Sequence, residues 1–542
     1  MRLIIKDYLA KLKEKDELDL LLCDLLLAQG YITDNVPKTG NRQYGVDIQV
    51  HTSTELLLCV VKQGNVNRTV WDGNENAVRA SLNEVRDVYL RMLNQTQVKK
   101  KIRIAVVTNG YLDEAVRPNW ESYVEQNQLW NGKKIEIEFW NIDKLVDDVQ
   151  KYLMNEFLFG REHQSLLRKA LYFIGESDYK NIYFEKIIDA YLERIENTTQ
   201  KKQLQKEMAS LLLATQMIAR YAEELNIYKI GIMVNEYLLI RYWKLMLKKQ
   251  WFEKSFYVEW LLKFCKHYEN SCERYFQAVK VCCDGECEFP GYNLLEQRVL
   301  LYEMLGYLAS YAFYETKTGS GKAGELISAV INAINCNVEF YCPPYDGDAG
   351  ILNLILRVLQ ENGRYEDMKN LVSSVCCQMI RNYRVYGKYP TPTDCFTDAA
   401  NIEFGNRHEE YKVSGMWAVL LEWIAILEDE ETYGVVQEFL KSDLQGVTEC
   451  AWFLRAYEEA LFYEPYAMQL AGEGIALDAG TDLADLIKNM NFIFEQYKQE
   501  KFSYETYSFE ALEMITCRYF HYIPRTIFFE KNRNANRILI SD

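Results

Sequence analysis

The hydrophobic periodicity of this 542-residue chain changes once, near Leu153. Before that point, short apolar runs of strand length alternate with stretches of helical spacing. After it, apolar residues recur almost only at intervals of three or four, which is typical of amphipathic helices. The sequence therefore predicts a small α/β domain followed by a large all-α region.

In the first part, the patterns predict the order α-β-β-β-α-β-α-β, followed by a short helix from Asp143. Gly30 is expected to close the first helix, because glycine readily adopts the left-handed conformation of a helix C-cap. The run Glu55–Lys62 is almost wholly apolar, as in a strand that is buried on both faces. The assigned ranges are 11–29, 31–32, 44–50, 55–62, 76–93, 102–108 and 134–140.

The second part is expected to fold as helical hairpins, stacked either as an α-solenoid or as an irregular bundle. No fixed period aligns three copies of one motif, so both architectures stay open. The expected domains are 1–155, 156–345 and 346–542, and the last two could be continuous. The amphipathic stretches are 183–195, 201–222, 226–247, 295–313, 349–361, 365–381, 416–427, 435–444, 450–461 and 483–497.

Charge is distributed unevenly along the chain. The net charge is −16, from 62 Lys and Arg against 78 Asp and Glu. Residues 1–155 hold 21 basic and 22 acidic side chains, so almost all of the excess acidity lies in the rest. This balance argues against a protein whose whole surface binds polyanions, and it assigns any nucleic-acid contact to the first part.

Cysteine usage and hydropathy predict a location in the reducing cytoplasm. The 14 cysteines lie mostly in apolar runs rather than in a spaced disulfide framework, and no apolar signal peptide opens the chain. No apolar stretch reaches the ~20 residues that span a bilayer, so we expect no membrane segment.

The residues most suggestive of chemistry are Asp47 and Lys62, which lie on neighbouring predicted strands. A carboxylate and a lysine brought together at strand ends can hold a divalent cation and position an attacking water beside a phosphodiester. The lysine can also neutralise charge that develops in the transition state.

This segment resembles the Mrr-like branch of the PD-(D/E)XK restriction-endonuclease superfamily. The resemblance covers about residues 10–150: an acidic first helix ending in Gly30-Tyr31, a Gly-x-Asp strand, and an apolar strand ending in lysine and glutamine. It implies a restriction-endonuclease-like fold, in which Asp47 matches the metal-binding acid and Lys62 the motif lysine. Gln63 extends the motif, and Asp19 stands where such proteins often place an acid in the first helix.

The sequence departs from the family pattern at Val60, where a second metal-binding acid is expected two residues before the lysine. Members of the superfamily can relocate this acid to the following helix. Glu84 is the candidate replacement, and Glu55 is a weaker one at the far end of the strand. The implied metal site is therefore Asp47 and Glu84 with Mg²⁺ or Mn²⁺.

Basic side chains near this segment are candidates for contacts with DNA phosphates. Arg42, Arg68 and Arg79 are the first choices. Arg86 and the run Lys99-Lys100-Lys101 are further candidates for a basic rim.

The preferred interpretation is a metal-dependent nuclease, with DNA endonuclease as the expected activity, that acts as an effector in bacterial anti-phage defence. Its helical part would regulate cutting and contact a protein partner or a second copy, an inference from layout alone. The alternative is a nuclease fold that has lost catalysis through Val60 and binds DNA or a partner. A pure helical scaffold is third, because it leaves Asp47 and Lys62 unexplained.

Overall fold

The computed structural model describes residues 2–35, 44–153, 161–176, 181–285, 293–319, 321–387, 390, 395–403, 412–453, 458–466, 472–496 and 501–524. The chain consists of two compact units, Met1–Val234 and Asn235–Asp542. The first unit therefore holds the α/β part together with helices up to residue 224. The predicted boundaries after residues 155 and 345 stay predictions.

The first unit contains a five-stranded mixed sheet and a separate two-stranded hairpin. Gly30 caps the C-terminal end of helix α2 (Asp19–Gln29) with φ of 101°, as predicted. Glu14–Leu18 is a π-helical turn that leads into α2, and a second π-helical turn, Val85–Tyr89, continues α4. The strands are β1 Ile32–Asn35, β2 Ile48–His51, β3 Glu55–Lys62, β4 Lys101–Thr108, β5 Leu129–Trp130, β6 Lys133–Lys134 and β7 Glu136–Trp140. The helices are α1 Arg2–Lys11, α2 Asp19–Gln29, α3 Arg68–Asp72, α4 Val78–Glu84, α5 Gln95–Val98, α6 Arg117–Gln126, α7 Ile142–Tyr152, α8 Arg161–Phe173, α9 Ile182–Asn197 and α10 Lys201–Glu224.

The large sheet has the strand order β1-β2-β3-β4-β7. The pairs β1/β2 and β2/β3 are antiparallel, whereas β3/β4 and β4/β7 are parallel. The carboxyl ends of β3, β4 and β7 therefore lie at one edge, together with the amino end of β2. Asp47 and Lys62, on which the sequence argument mainly rests, both lie at this edge.

Helices cover both faces of the sheet. Consecutive residues of the central strand β3 are apolar, so both of its faces must be buried. One face carries a core of Val60, Leu82 and Val85 with Trp71 and Trp120. The two indole rings meet edge to face, with centroids 6.0 Å apart. On the opposite layer, α7 packs against α1 and α2, and α10 packs against α2.

The predicted strand 55–62 is confirmed to the residue, and the predicted helix 76–93 is observed as one helical stretch with a π-helical turn. The predicted helix 11–29 is wrong at its start. The helix is interrupted at Leu12 and Lys13, between α1 and the turn Glu14–Leu18. Five consecutive charged residues, 13–17, interrupt the apolar spacing there.

The second unit is mainly helical. Its helix α13 packs against α14, α15 and the distant α23, which favours an irregular bundle over a solenoid, since solenoid repeats contact only their neighbours. The helices are α11 Tyr228–Lys249, which spans the division between the units, α12 Ser255–Cys283, α13 Leu294–Thr318, α14 Ala323–Cys336, α15 Ala349–Glu361, α16 Tyr365–Tyr386, α17 Phe396–Glu403, α18 Gly415–Leu427, α19 Glu430–Ser442, α20 Glu459–Phe462, α21 Leu483–Gln496, α22 Ser503–Thr506 and α23 Ala511–Phe520.

The predicted helix 450–461 is wrong. Its first part is strand β9 Thr448–Phe453, which lies between β8 Val413–Ser414 and β10 Glu473–Ala476 in a three-stranded sheet. The pairing of β9 with β10 joins segments some distance apart in the chain. Local periodicity cannot reveal such pairing, and aromatic residues fit a strand as well as a helix.

Within the described ranges, no helix combines the length and the apolar character needed to cross a membrane.

Candidate functional site

Asp47 lies at the active edge of the sheet, which we define as the edge formed by the carboxyl ends of β3 and β4. Its backbone N–H donates to the carbonyl of Cys59 at 2.9 Å. Its Oδ2 accepts a 2.7 Å hydrogen bond from the backbone N–H of Val61. The strand register thus fixes this carboxylate beside the end of β3.

Lys62 ends β3, and its ammonium group faces an acid from the turn between α1 and α2. Its Nζ lies 3.6 Å from Oε1 of Glu14, and the lysine side chain is only 13% exposed. Asp19, the first residue of α2, is buried with 6% exposure, and its Oδ1 accepts from the backbone N–H of Leu20 at 2.8 Å. Together with Asp47, these side chains form what we call the acidic cluster: Glu14, Asp19, Asp47 and Lys62.

The pKa of Asp47 is raised above its ordinary value, mainly because burial penalises the charged form. The Val61 N–H and the Lys62 charge act in the opposite direction, whereas Glu14 and Asp19 raise the pKa further. The cluster holds three carboxyl groups and one ammonium group. A bound cation would relieve the repulsion among the carboxylates.

Asn109, directly after β4, connects the turn that follows Lys62 to the chain segment that precedes Glu14. Its Oδ1 accepts from the N–H of Gly64 at 2.7 Å, two residues after Lys62. Its Nδ2 donates to the carbonyl oxygens of Leu9 and Leu12, both at 2.8 Å. The side chain is 3% exposed, so it joins the turn that follows Lys62 to the chain that leads into Glu14.

A close backbone approach accompanies this contact. A Cβ on Gly110 would lie 2.3 Å from the carbonyl carbon of Gly64, so position 110 requires glycine. Beyond this point, Val66 and Leu112 form an isolated parallel bridge. The loops after β3 and β4 therefore remain paired past the sheet.

Asp143 links α1 and the loop after β4 at the same edge. Lys6 Nζ lies 2.9 Å from Oδ1 of Asp143, the second residue of α7. The hydroxyl of Tyr111 donates to the other oxygen of Asp143 at 3.0 Å. These contacts hold α1, which precedes Glu14, beside the loop that follows β4.

Val60 occupies the place of the missing acid. The strand register pairs Ile48 with Cys59, but Asp47 departs from this register, since its own N–H donates to the carbonyl of Cys59. The family resemblance places an acid at position 60, two residues before Lys62. Val60 is instead fully buried in the core beneath α4.

The other predicted catalytic residues lie at different places. Glu84 is exposed at the end of α4, one turn beyond Ser81, whose carbonyl oxygen packs closely against Gly45. Gln63 is exposed just after Lys62. Glu55 lies at the opposite end of β3 and pairs with Arg103 at 3.3 Å. The roles of Glu84 and Gln63 remain predictions.

The predicted phosphate-binding residues are only partly brought to this edge. Arg68 is exposed at the start of α3, in the segment that follows Lys62. Arg79 is exposed and pairs with Asp72 at 2.8 Å. Arg42 lies outside the described residues. Lys101 lies opposite Glu55 at the other edge, so the run of three lysines does not form a rim around Lys62.

The carboxylates at this edge fit a magnesium ion that takes only one or two ligands from the protein. Among the described residues, no group of three or more His, Cys, Asp or Glu side chains is arranged to hold a metal. Mg²⁺, however, usually binds through one or two carboxylates and completes its shell with water and substrate phosphate. Asp47 offers such an oxygen, since no described residue donates a hydrogen bond to its Oδ1.

Sequence reasoning missed Glu14 and the role of Asn109. The only signal for Glu14 is the charged run 13–17 between Leu12 and Leu18, which marks a break in helical packing. For Asn109, the signal is an Asn-Gly pair after an apolar strand. Such a pair predicts a turn but not the groups that it joins.

No family model, curated protein or solved structure matches the chain.

Proposed function

We propose that the first unit is a PD-(D/E)XK-like, metal-dependent phosphodiesterase that cleaves nucleic acid, preferably DNA. The observation that carries the proposal is the acidic cluster at the active edge of a mixed sheet. Asp47 and Lys62 come from adjacent strands, with Glu14 3.6 Å from Lys62. The sequence resemblance assigns Asp47 and Lys62 to such a site, whereas Glu14 is an addition from the structure.

In this proposal, Asp47 binds the cation and Glu14 or Asp19 takes the place of the acid that Val60 lacks. A bound Mg²⁺ supplies charge neutralisation of the phosphate and a more acidic water. Lys62 orients the attacking water and neutralises charge that develops on the phosphate oxygens. Glu14 holds the lysine ammonium group in place. Arg68 contacts the phosphate backbone beside the cleft.

The wider role proposed for the chain is that of an effector in bacterial anti-phage defence, with its helical unit as sensor or regulator. This step rests on layout alone: a nuclease-like part joined to a long acidic helical part. A protein partner or a second copy would act through the helical unit.

A second candidate is favoured by Val60. Val60 is buried in the core at the position where the resemblance expects the second metal-binding acid. A fold that kept the sheet and lost this acid would bind nucleic acid or a partner without cutting it.

Cleavage assays decide between the two candidates. Supercoiled plasmid, single-stranded DNA and RNA are incubated with the full chain in Mg²⁺ or Mn²⁺, using wild type, Asp47→Ala, Lys62→Ala, Glu14→Ala and Glu84→Ala. Asp113→Ala serves as a control on an acid outside the cluster. DNA binding is measured in parallel by fluorescence anisotropy in Ca²⁺, which separates binding from cutting.

The proposal expects loss of cleavage by at least a hundredfold in Asp47→Ala and Lys62→Ala, with binding retained within a few fold. If Glu14→Ala loses activity and Glu84→Ala does not, the second acid comes from the turn before α2. Binding without cleavage in every metal, with a cell extract added, would favour the second candidate.

A further inference from the structure

A large groove lies in the first unit between α1, α8 and α10. Its volume is about 910 Å³, within the ~300–1,000 Å³ of pockets that bind small ligands. The floor includes Met217, which is 2% exposed, and the walls include Leu3 and Leu171. None of these residues belongs to the acidic cluster.

Aromatic rings form much of the groove lining. Tyr8, Tyr172, Phe173 and Tyr221 all face it. Tyr172 is 77% exposed, although it stands edge-on to Phe173 with ring centroids 5.1 Å apart. Exposed rings of this kind offer faces on which a planar base can stack.

The acidic side chains of the groove are paired with a lysine, whereas two of its basic side chains form no ion pair with a described residue. The carboxylates of Asp7 and Glu224 both pair with Lys11, at 2.7 and 2.5 Å. In contrast, Arg168 and Lys169 are exposed and form no ion pair with a described residue. The positive charge still available to a ligand therefore exceeds the negative charge.

Arg220 adds a further donor on the α10 side. Its two terminal nitrogens lie 3.3 Å from Glu223 and 3.2 Å from the carbonyl of Lys11. Its Nε is buried and has no hydrogen-bond partner among the described residues. A ligand that reaches this nitrogen with an oxygen would remove an unsatisfied donor.

We propose that this groove binds a free nucleotide, with the base stacked on Tyr172 and the phosphate paired with Arg168 and Lys169. An apolar ligand would leave both cations without a partner, and a bare polyanion would leave the aromatic lining unused. A nucleotide matches both features. The proposal goes beyond the phosphodiesterase function and does not depend on it.

Isothermal titration calorimetry on the full chain tests this proposal. The probes are AMP, ATP, adenosine and tripolyphosphate, all in EDTA so that no divalent cation bridges the ligand to Asp47. We expect the nucleotides to bind, and adenosine and tripolyphosphate to bind at least about tenfold more weakly. A 12-nucleotide single strand of DNA is titrated separately.

Variants in the groove assign the binding. Arg168→Ala with Lys169→Ala is expected to weaken nucleotide binding at least about tenfold, and Tyr172→Ala by a similar factor. Tyr172→Phe keeps the ring and should keep the affinity. The matched control replaces Lys186 and Lys202, two exposed lysines outside the groove, and should bind as wild type does. All substituted side chains are exposed, so thermal melting should be unchanged.

The proposal is overturned if no nucleotide binds at millimolar concentration, or if the groove variants bind as wild type does. It is also overturned if adenosine or tripolyphosphate alone binds as tightly as AMP. Binding of the DNA strand alone would assign the groove to a nucleic-acid path. Dimerisation that Tyr172→Ala abolishes would assign it to a second copy.

Discussion

Ionisation of the Asp47 carboxyl group is unfavourable in the folded chain. Burial and the neighbouring acids Glu14 and Asp19 raise its pKa, so ionisation costs more in the folded state than in the unfolded state. Groups in binding sites commonly carry such a cost, because the ligand removes it.

Asp47→Asn is therefore expected to increase the free energy of unfolding near neutral pH. The folded state binds more protons than the unfolded state between the ordinary pKa of 3.8 and the raised folded pKa, so wild-type stability falls as pH rises through that window. The gain from the substitution should be absent below that window and complete above it. Urea titrations at several pH values measure this difference.

Glu121→Gln provides the control, because Glu121 is exposed and lies outside the acidic cluster. A gain of equal size in this variant, or a gain in Asp47→Asn that persists below the window, would contradict the assignment.

Divalent cations should act through the same side chain. Mg²⁺ or Mn²⁺ is expected to raise the melting temperature of wild type by a few degrees, since binding to the folded state alone stabilises it by mass action. The rise should disappear in Asp47→Asn and after addition of EDTA. An equal rise in Asp47→Asn would assign the metal to other residues.

At the scale of elements, Asn109 is the contact that joins α1 to the ends of β3 and β4. Asn109→Ala leaves the Gly64 N–H and the carbonyls of Leu9 and Leu12 without their buried partner. We expect a loss of about 3 kcal/mol in the free energy of unfolding. Asn94→Ala, which removes an exposed helix cap, should cost only about 1 kcal/mol. Equal losses measured by denaturant titration would refute the special role of Asn109.

Gly110 tests the same junction through backbone contact. Gly110→Ala would press a methyl group against the Gly64 backbone and should cost about 2 kcal/mol or more. Gly324→Ala is the matched change in α14, where nothing lies within 4 Å of the new methyl group. It should stabilise the chain by about 0.5 kcal/mol, because alanine restricts the unfolded chain more than glycine does. Thermal or chemical denaturation distinguishes the two signs.

Much of the first unit could be predicted because its elements carry strong local signals. Glu55–Lys62 is apolar throughout, and the helix after Val78 keeps helical spacing. The break at Leu12 was missed because the apolar residues on its two sides still fit one helical pattern. Strand β9 was missed because its stability comes from pairing with β8 and β10, which are distant in sequence.

The candidate site, like the fold of the first unit, could be predicted only in part. Asp47 and Lys62 are expected together because antiparallel β2 and β3 bring their ends to one edge. Glu14 could not be predicted, since its proximity to Lys62 depends on the break before it and on the contacts of α1. The orientation of α4 decides where Glu84 lies, and sequence spacing does not fix that orientation.

At the scale of the molecule, the division into two compact units predicts two unfolding transitions. Arg357 and Glu513 form an ion pair buried in the second unit, with side chains 4% and 3% exposed. Glu513→Gln should cost about 3–5 kcal/mol, since it removes a negative charge 3.4 Å from a buried guanidinium. Differential scanning calorimetry should show a lower midpoint for one transition only.

The transition that responds to Mg²⁺ should keep its midpoint in Glu513→Gln. Glu325→Gln, which removes an exposed ion pair with Lys280, is the control and should change neither transition. A joint shift of both transitions in Glu513→Gln would show that the chain unfolds as one cooperative unit.

The order of the two units along the chain also has a consequence for biosynthesis. The 308 residues that follow Val234 take roughly 15–60 s to translate at ~5–20 residues per second. Every residue of the acidic cluster, and Asn109, has left the ribosome by then. Under the proposed function, each nascent chain therefore carries a complete catalytic edge before its helical unit exists, and during that interval only the first unit itself can restrain cutting.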